Sequence, residues 1–225
     1  MTFSIVGRCQ QSGMFGVAIT TSSICVGARC PHARAGVGAV ATQNVTDPSL
    51  GPRILDQLAA GKSAQEALDQ VTHGIDNLDY RQLTVVDGSG RTASLTGNQI
   101  LGTNAESSGE GCYAAGNLLS TVEVPVAMTS TFENNASEHL AERLLRSLEA
   151  GINAGGEEGD VHSAALLVVD TQSFALVDLR VDWADLNPVA QLRELWHDYE
   201  PQMLDYLTRA LNPAAAPSYG VPGDE

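Results

Sequence analysis

The sequence is poor in positive charge, and lysine is almost absent from it. Its 225 residues include 12 Lys+Arg against 27 Asp+Glu, the formal net charge is −15, and Lys62 is the only lysine. Nucleic-acid backbones and anionic membranes are bound by clusters of Lys and Arg, and the sequence contains no such cluster. We therefore expect neither nucleic acid nor a membrane as a partner, and a catalytic lysine would have to be Lys62.

Long apolar runs are missing as well. No segment approaches the roughly 18 apolar residues that cross a bilayer. The residues after Met1 also lack the basic and apolar regions of a secretory signal. On this basis we expect a cytoplasmic protein.

Cysteine is scarce and follows no metal-binding pattern. The four cysteines are Cys9, Cys25, Cys30 and Cys112. No second Cys/His pair follows the spacing of Cys25 and Cys30, so a metal site built on Cys30 and His32 is the less favoured interpretation. We expect reduced, buried thiols and no metal.

The remaining composition suits a packed core, with 43% hydrophobic and 17% charged residues. Strand patterns pair across tight turns, which makes the strands antiparallel. The predicted hairpins are 3–8 with 15–21, 81–87 with 91–96, and 164–170 with 174–180. Between them we predict a buried strand at 35–43, a polar loop at 97–111 and a strand at 112–116.

Helical spacing predicts helices that come between groups of strands rather than after each strand. These helices are 53–60, 63–73 with a Ser63–Glu66 capping box, one capped by Ser137 and closed by Gly151, and a last helix from Pro188 to about Leu211. This order predicts an α+β fold, a four-layer αββα sandwich of two antiparallel sheets covered by helices. We expect one domain at 1–211, followed by an extended Ala/Pro-rich tail at 212–225.

Residues 36–41 match the G-x-G-x-x-A dinucleotide fingerprint. That fingerprint requires a strand before it and a helix directly after it, so that the pyrophosphate meets the helix N-terminus. Here Pro31 lies just upstream, and a strand end and loop are predicted downstream. We therefore favour a buried strand over a nucleotide site.

Thr2 is the residue with the most distinctive chemistry. Removal of Met1 would leave it with both a hydroxyl and a free α-amino group, whose usual pKa of roughly 7.7–8.0 suits a general base. An ordinary strand residue is the alternative, because small residues are common at this position. Its place at the head of a predicted buried strand favours the functional interpretation, since most chain termini are loose and polar.

Eight segments of the sequence together resemble the DUF1028 family. They are TFSIVGR at 2–8, ARAGVGAVATQ at 33–43, GPR at 51–53, RQL at 81–83, VVD at 85–87, AGN at 115–117, SAAL at 163–166 and DLRVD at 178–182. The resemblance covers nearly the whole chain in order. It implies an N-terminal-nucleophile (Ntn) hydrolase with the αββα sandwich that the element order predicts independently.

The resemblance also implies roles for individual residues. Thr2 Oγ1 would attack a carbonyl with its own amine as the base, and the side chain of Gln43 or Asn117, or backbone amides of the 36–43 strand, would stabilise the oxyanion. The candidate substrate-binding residues are Arg34, Arg53, Arg81, His162 and Ser163. Structural ion pairs are the alternative role for the arginines, and backbone hydrogen bonding is the alternative role for the two amides.

The sequence departs from the family pattern at two places. Residues 157–162 are acidic and end in His162, where the family commonly has a basic run, so a substrate contact there would shift specificity away from anions. His162 is then either a polar contact or an exposed loop residue. Residues 182–185 replace a family Asp-Asp-His run with Asp-Trp-Ala-Asp, which puts any ligand role there in doubt.

These observations predict a hydrolase that cleaves a small amide or ureido C–N bond without a cofactor. Its expected partners are a small-molecule substrate and other copies of the chain, as a dimer or higher homo-oligomer. The alternatives are a non-catalytic small-ligand-binding protein and a self-assembling subunit on the same scaffold.

Overall fold

The computed structural model describes residues 2–223. The strands are β1 (Thr2–Arg8), β2 (Phe15–Thr21), β3 (Pro31–Arg34), β4 (Gly38–Asn44), β5 (Arg81–Asp87), β6 (Thr92–Thr96), β7 (Ala105–Gly109), β8 (Cys112–Asn117), β9 (Ser163–Val169) and β10 (Val177–Val181). The α-helices are α1 (Leu50–Ala59), α2 (Ala64–Thr72), α3 (Val124–Asn134), α4 (Leu140–Asn153), α5 (Pro188–Tyr199) and α6 (Met203–Leu211).

The strands form two antiparallel sheets that face each other. One sheet has the order β10-β9-β2-β1-β8-β7 and the other the order β3-β4-β5-β6. Helices α3, α4 and α5 cover the outer face of the first sheet, and α1 and α2 cover the second. The predicted four-layer αββα sandwich is therefore confirmed.

Alternating side chains of β1 show how the layers are separated. Phe3 and Ile5 point outward and pack against the helices with Phe132 and Leu144. Val6 points inward and meets side chains of the opposite sheet. Because successive strand residues face opposite sides, Thr2 and Ser4 share the inward face with Val6.

The two ends of the sandwich differ in their connections. The hairpin end consists of the tight turns at 9–14, 35–37, 88–91, 110–111 and 170–176. The loop end consists of the start of β1 and the segments that lead to or from a helix or to the other sheet, at 22–30, 45–49, 97–104, 118–123, 154–162 and 182–187. The first residue of β1, Thr2, therefore lies among these connections.

Several elements lie where the sequence predicts them. β2 and β5 have the predicted bounds, and Ser63 and Glu66 form the predicted capping box at the start of α2. The strand predicted at 35–43 starts at Gly38, since Gly36 forms a turn with φ +68°. No helix follows this strand directly, so the context that a dinucleotide fingerprint needs is absent from it.

Other expectations are wrong in detail. β7 lies inside the predicted loop 97–111, because pairing with β8 overrides its polar composition. α3 is missed, although Val124, Met128 and Phe132 recur at helical spacing and are buried. Ser137 does not cap α4, since the Nδ1 atom of His139 accepts a hydrogen bond from the backbone of Ala141 instead.

The predicted last helix is divided into two. α5 ends at Tyr199 and α6 begins at Met203, with a 3-10 turn at Glu200–Gln202 between them. Pro201 lies in this turn, and a proline removes the backbone donor that a continuous helix would need. No helix within residues 2–223 is long and apolar enough to cross a membrane.

All four cysteines are free, as expected. Cys9, Cys30 and Cys112 are buried, and Cys25 is half-buried. Burial raises the pKa of Cys30 to about 11 and that of Cys112 to about 12. These two thiols are protonated near neutral pH, which suits a structural role.

Candidate active site

Thr2 occupies a central position in the six-stranded sheet. β1 pairs with β2 on one side and β8 on the other, so that Thr2 lies opposite both Thr21 and Asn117. Its Oγ1 atom is 3.1 Å from Oγ1 of Thr21, and the residue is only 5% exposed. The chain thus begins its first strand with a hydroxyl held between two other polar side chains.

A chain of buried amides extends from Ser4 across the space between the sheets. The Ser4 hydroxyl donates to Gln43 Oε1 (2.7 Å), and Gln43 Nε2 donates to Gln82 Oε1 (2.7 Å) and to the Ala115 carbonyl (3.1 Å). Asn117 Nδ2 donates to the same Gln82 oxygen (3.1 Å). Two of the predicted site residues, Gln43 and Asn117, are therefore brought together beside Thr2 and linked by Gln82.

Gln43 and Asn117 differ in what they have left to offer. Both N–H groups of Gln43 are used, one by Gln82 and one by Ala115. Asn117 uses one N–H on Gln82, and its Oδ1 atom is buried with no hydrogen-bond partner within residues 2–223. An unpaired buried acceptor costs free energy. The Asn117 side chain can therefore still accept a hydrogen bond, as side chains at ligand and catalytic sites do.

Glu157 is a member of the site that the sequence does not reveal as buried. It lies in the predicted acidic loop, yet it is only 7% exposed and forms an isolated bridge with Leu119, two residues after Asn117. Gly155 and Gly156 lead into it with φ +124° and +61°, and a Cβ on Gly155 would lie 2.3 Å from Ser120 Oγ. The paired glycines were the available signal, because only glycine adopts both conformations without strain.

The Glu157 carboxyl group has an unusual environment. Neither of its oxygens has a hydrogen-bond partner in the described part of the chain. Burial raises its pKa to about 8, and the backbone amide of Ser22, which lies near it outside good hydrogen-bond geometry, opposes this change only in part. Ser22 follows Thr21, so Glu157 lies beside both strands that flank Thr2.

His162 and Ser163 lie on the β9 side of the loop end. The backbone N–H of His162 donates to the Thr21 carbonyl (2.8 Å), and its ring stacks on Trp183 with centroids 4.4 Å apart. The Nδ1 atom lies 2.8 Å from the carbonyl of Ala184, which can only accept, so in the neutral ring the proton is on Nδ1 and Nε2 is an acceptor. Ser163 donates to Ser23 O (2.6 Å) and accepts from the Val26 amide (3.1 Å), which fixes the segment after Thr21.

The structure does not bring the three predicted arginines to Thr2. Arg34 pairs with Asp56 on the outer face, and its strand partner Gly38 lies five residues before Gln43, roughly 17 Å along β4. Arg53 contacts the carbonyl of Val71 within the helical layer.

Arg81 lies at the loop end but on the outer side of its sheet. It directly precedes Gln82, which points inward, so strand alternation points Arg81 outward. Its guanidinium donates to the Val45 carbonyl. Strand geometry therefore directs none of the three predicted arginines to the inward face at Thr2.

Strain marks the backbone next to Asn117. Leu118 has φ +49°, which is rare for a bulky residue, and its N–H donates to the Leu101 carbonyl (2.9 Å). A Cβ on Gly102 would lie 2.5 Å from the Leu118 side chain, so the 97–104 segment presses closely on this residue. Strained residues of this kind persist where the surrounding structure holds them, often at functional sites.

A large cavity lies away from Thr2, at the hairpin end. Its volume is about 470 Å³, and Arg8, Cys9, Glu133 and Arg143 are among the residues that line it. Arg8 and Thr2 are the two ends of β1, roughly 20 Å apart.

Within residues 2–223, no group of three or more His, Cys, Asp or Glu side chains could hold a metal ion.

Comparison with known proteins identifies the family. The sequence matches the Family of unknown function (DUF1028) over residues 2–192. The chain belongs to the DUF1028 family. The crystal structure of a DUF1028 protein from Silicibacter pomeroyi is 30% identical, with a TM-score of 0.81 and 88% of each chain covered.

More distant structural matches add no argument about this DUF1028 protein. Anbu, an ancestral β-subunit, from Yersinia bercovieri has 10% identity and a TM-score of 0.43, covering 90% of this chain and 96% of its own. The Gly-1 mutant of Anbu from Hyphomicrobium sp. strain MC1 has the same identity and TM-score, covering 91% and 96%. No curated protein matches the chain.

Proposed function

We propose that this DUF1028 protein is an Ntn-type hydrolase that cleaves a small amide or ureido C–N bond with Thr2 as its N-terminal nucleophile. The observation that carries the proposal is the place of Thr2, which starts a central strand, is nearly buried and shares a hydrogen bond with the Thr21 hydroxyl. A residue held in this way keeps its hydroxyl in one orientation. Once Met1 is removed, the same residue also carries the amine that can serve as its base.

The proposed reaction needs only groups that the chain supplies. Thr2 Oγ1 attacks the substrate carbonyl carbon while its proton passes to the α-amino group. The C–N bond then breaks, and the departing nitrogen takes that proton. Water hydrolyses the resulting ester and restores the Thr2 hydroxyl.

We assign different roles to the two predicted oxyanion donors. Asn117 has one N–H that Gln82 does not use, so it can donate to the developing negative charge. Gln43 has committed both of its N–H groups, so we assign it the positioning of Ser4 and, through Gln82, of Asn117. A fixed donor costs no reorganisation during the reaction.

The charges around the site favour an uncharged substrate. Arg34 and Arg53 are bonded elsewhere, and Arg81 is directed to the outer side. Glu157 adds an acid rather than a cation beside Thr2, and His162 leaves Nε2 as an acceptor. Arg29 is linked to Thr2 through Ser23 and Thr21, but its guanidinium already donates to Ser23 Oγ and to the carbonyls of Ile24 and Cys25. A carboxylate-bearing substrate would have to compete for it, whereas an amide or urea N–H can donate to Glu157 or His162.

The decisive test begins with the intact mass of the purified protein, which has to lack Met1. The Met1-free chain is then assayed with a panel of small amides and ureido acids. We expect Thr2→Val, which keeps the shape but lacks the hydroxyl, to lose turnover by at least about 10³-fold, and Thr2→Ser to retain a measurable rate.

Two results would overturn the proposal. One is full retention of Met1 in the natural protein, since the α-nitrogen would then be an amide and not a base. The other is equal turnover by Thr2→Val and the unchanged chain. Ligand binding without turnover in either form would favour the small-ligand-binding alternative, and light scattering tests the expected homo-oligomer.

A further inference from the structure

Two buried acceptors lie at the loop end of the six-stranded sheet, near the start of β1. Asn117 is fully buried and opposite Thr2 in the β8 ladder, and its Oδ1 atom has no partner among the described residues. The Glu157 carboxyl is more than nine-tenths buried, likewise without a hydrogen bond in that part of the chain. What the pair lacks is a donor.

Among residues 2–223, no side chain supplies that donor. Lys62, the only lysine, is half-buried in the turn before α2 and donates to Gln70. Burial and the Ser22 amide are what act on Glu157 among residues 2–223, and no side chain of an Asp, Glu, His, Lys or Arg from any element packed around it shifts its pKa. Glu158 and Asp160 on the same loop are exposed.

An ammonium group matches what is missing. It carries several N–H donors and a positive charge, and a buried carboxylate needs both to be stable. Glu157 lies beside Leu119 and Ser22, which follow the two residues opposite Thr2, so the carboxyl is at the same end of the sheet as the Thr2 nitrogen.

We infer that Asn117 and Glu157 form the binding site for the α-ammonium group of Thr2 once Met1 has been removed. Asn117 Oδ1 accepts one N–H and the Glu157 carboxylate accepts another and balances the charge. The inference rests on the proposed function for its catalytic meaning, since the same nitrogen is the proposed base. Glu157 is then a positioning residue that orients the amine and sets the pH at which it becomes free.

The test measures the pKa of the α-amine directly and needs no substrate. A cleavable N-terminal fusion yields the chain beginning at Thr2, which has just two primary amines, that of Thr2 and that of Lys62. Both are acetylated with a small anhydride over a range of pH, and mass spectrometry gives each rate. The pKa comes from the pH dependence of the rate, so limited access to Thr2 does not affect it.

The variant pair is Glu157→Gln and, as the matched control, its exposed neighbour Glu158→Gln. We expect Glu157→Gln to lower the pKa of the α-amine, because the carboxylate that stabilises the ammonium form is gone. The acetylation rate at pH 7, divided by the maximal rate of the same chain at high pH, should then rise about tenfold. Glu158→Gln leaves it unchanged. An α-amine that titrates alike in all three chains overturns the inference.

A second measurement uses no variant and covers the case in which Glu157→Gln folds poorly. The pH dependence of Tm is compared between the chain that begins at Thr2 and the uncleaved fusion, in which Met1 and the N-terminal extension are still attached to Thr2. With the ammonium present, Glu157 is ionised and paired, so the fall in Tm from pH 6 to pH 9 is smaller. Identical profiles overturn the inference.

The two proposals fail separately. Turnover that depends on the Thr2 hydroxyl, with an α-amine pKa insensitive to Glu157, removes the inference and keeps the hydrolase. A pKa that shifts in Glu157→Gln, in a chain without turnover on any substrate, keeps the inference and removes the hydrolase. In an active protein, the acidic limb of the kcat/KM profile moves to lower pH in Glu157→Gln and stays in place in Glu158→Gln.

Discussion

The two ends of the sandwich hold buried acids in opposite ways. At the hairpin end, Asp87 is 2% exposed, and burial alone would raise its pKa, but amides of Ser89, Ala64 and Arg91 and the Arg91 guanidinium lower it below the usual value. At the loop end, Glu157 is comparably buried without a hydrogen bond in the described chain, and its pKa rises to about 8. A buried acid whose oxygens all accept hydrogen bonds stabilises a turn. A buried acid without partners can bind a further donor, such as an ammonium group.

The largest expected effect is on the pH dependence of stability at Glu157, in the chain that retains Met1. Because its pKa is higher in the folded chain than in the unfolded one, its contribution is fully present below the unfolded pKa and is lost as pH rises through about 8. Relative to Glu157→Gln, we expect the unchanged chain to lose on the order of 4 kcal/mol of unfolding free energy between pH 5 and pH 9. Urea unfolding at each pH measures this loss. Unfolding free energies that change equally with pH in the unchanged chain and in Glu157→Gln would contradict the contrast between Glu157 and Asp87.

At the hairpin end we expect Asp87→Ala to cost about 3 kcal/mol near neutral pH, since it leaves one buried donor and three partly buried donors without an acceptor. The donors are the Ala64, Ser89 and Arg91 amides and the Arg91 guanidinium, at 2.8–3.1 Å. Asp56→Ala, which removes only the exposed pair with Arg34, serves as the control and should cost less than about 1 kcal/mol. Equal losses would mean that partner number does not explain the difference between the ends.

The amide chain gives a third comparison. Gln82→Leu removes the shared acceptor of Gln43 and Asn117, and we expect a loss of about 2 kcal/mol in urea unfolding. The exposed Gln70→Leu is its control and should change stability by less than about 0.5 kcal/mol. A Gln82 variant as stable as the Gln70 variant would show that this network is not needed for the fold.

The smallest expected effect is at His162. Its stacking on Trp183 and its bond to Ala184 lie at the edge of the site, so His162→Gln should change stability by no more than about 1 kcal/mol. Under the proposed function, the same variant changes substrate preference, because it replaces the Nε2 acceptor. An identical rate profile across the amide panel would argue against a substrate contact.

Sequence patterns predicted the layers well because hairpins and helix caps are local. The Phe15–Thr21 strand and the Ser63 capping box depend on neighbours a few residues away. β7 was missed because its polar sequence is held by pairing with β8. Locally encoded elements are therefore predictable, and elements that depend on a partner strand are less so.

The candidate site was also predictable only in part, because some of its residues depend on contacts between distant segments of the chain. Thr2, Gln43 and Asn117 were identified from the chemistry of Thr2 and the family resemblance, and strand register brings them together. Glu157 was expected only as a charged loop residue. Its burial depends on a bridge to Leu119, thirty-eight positions earlier by the numbering of that pair, which no local pattern reports.

The central position of β1 also determines when, during synthesis of the chain, Thr2 becomes buried. β1 and β2 are the first strands to be synthesised, but β8, which pairs with β1 on its other side, follows only after the middle of the chain has been made. Until then the first residues of the nascent chain are open to an aminopeptidase, and afterwards Thr2 is nearly buried. Under the proposed function, removal of Met1 therefore belongs to translation and has to be complete before the sheet closes over the terminus.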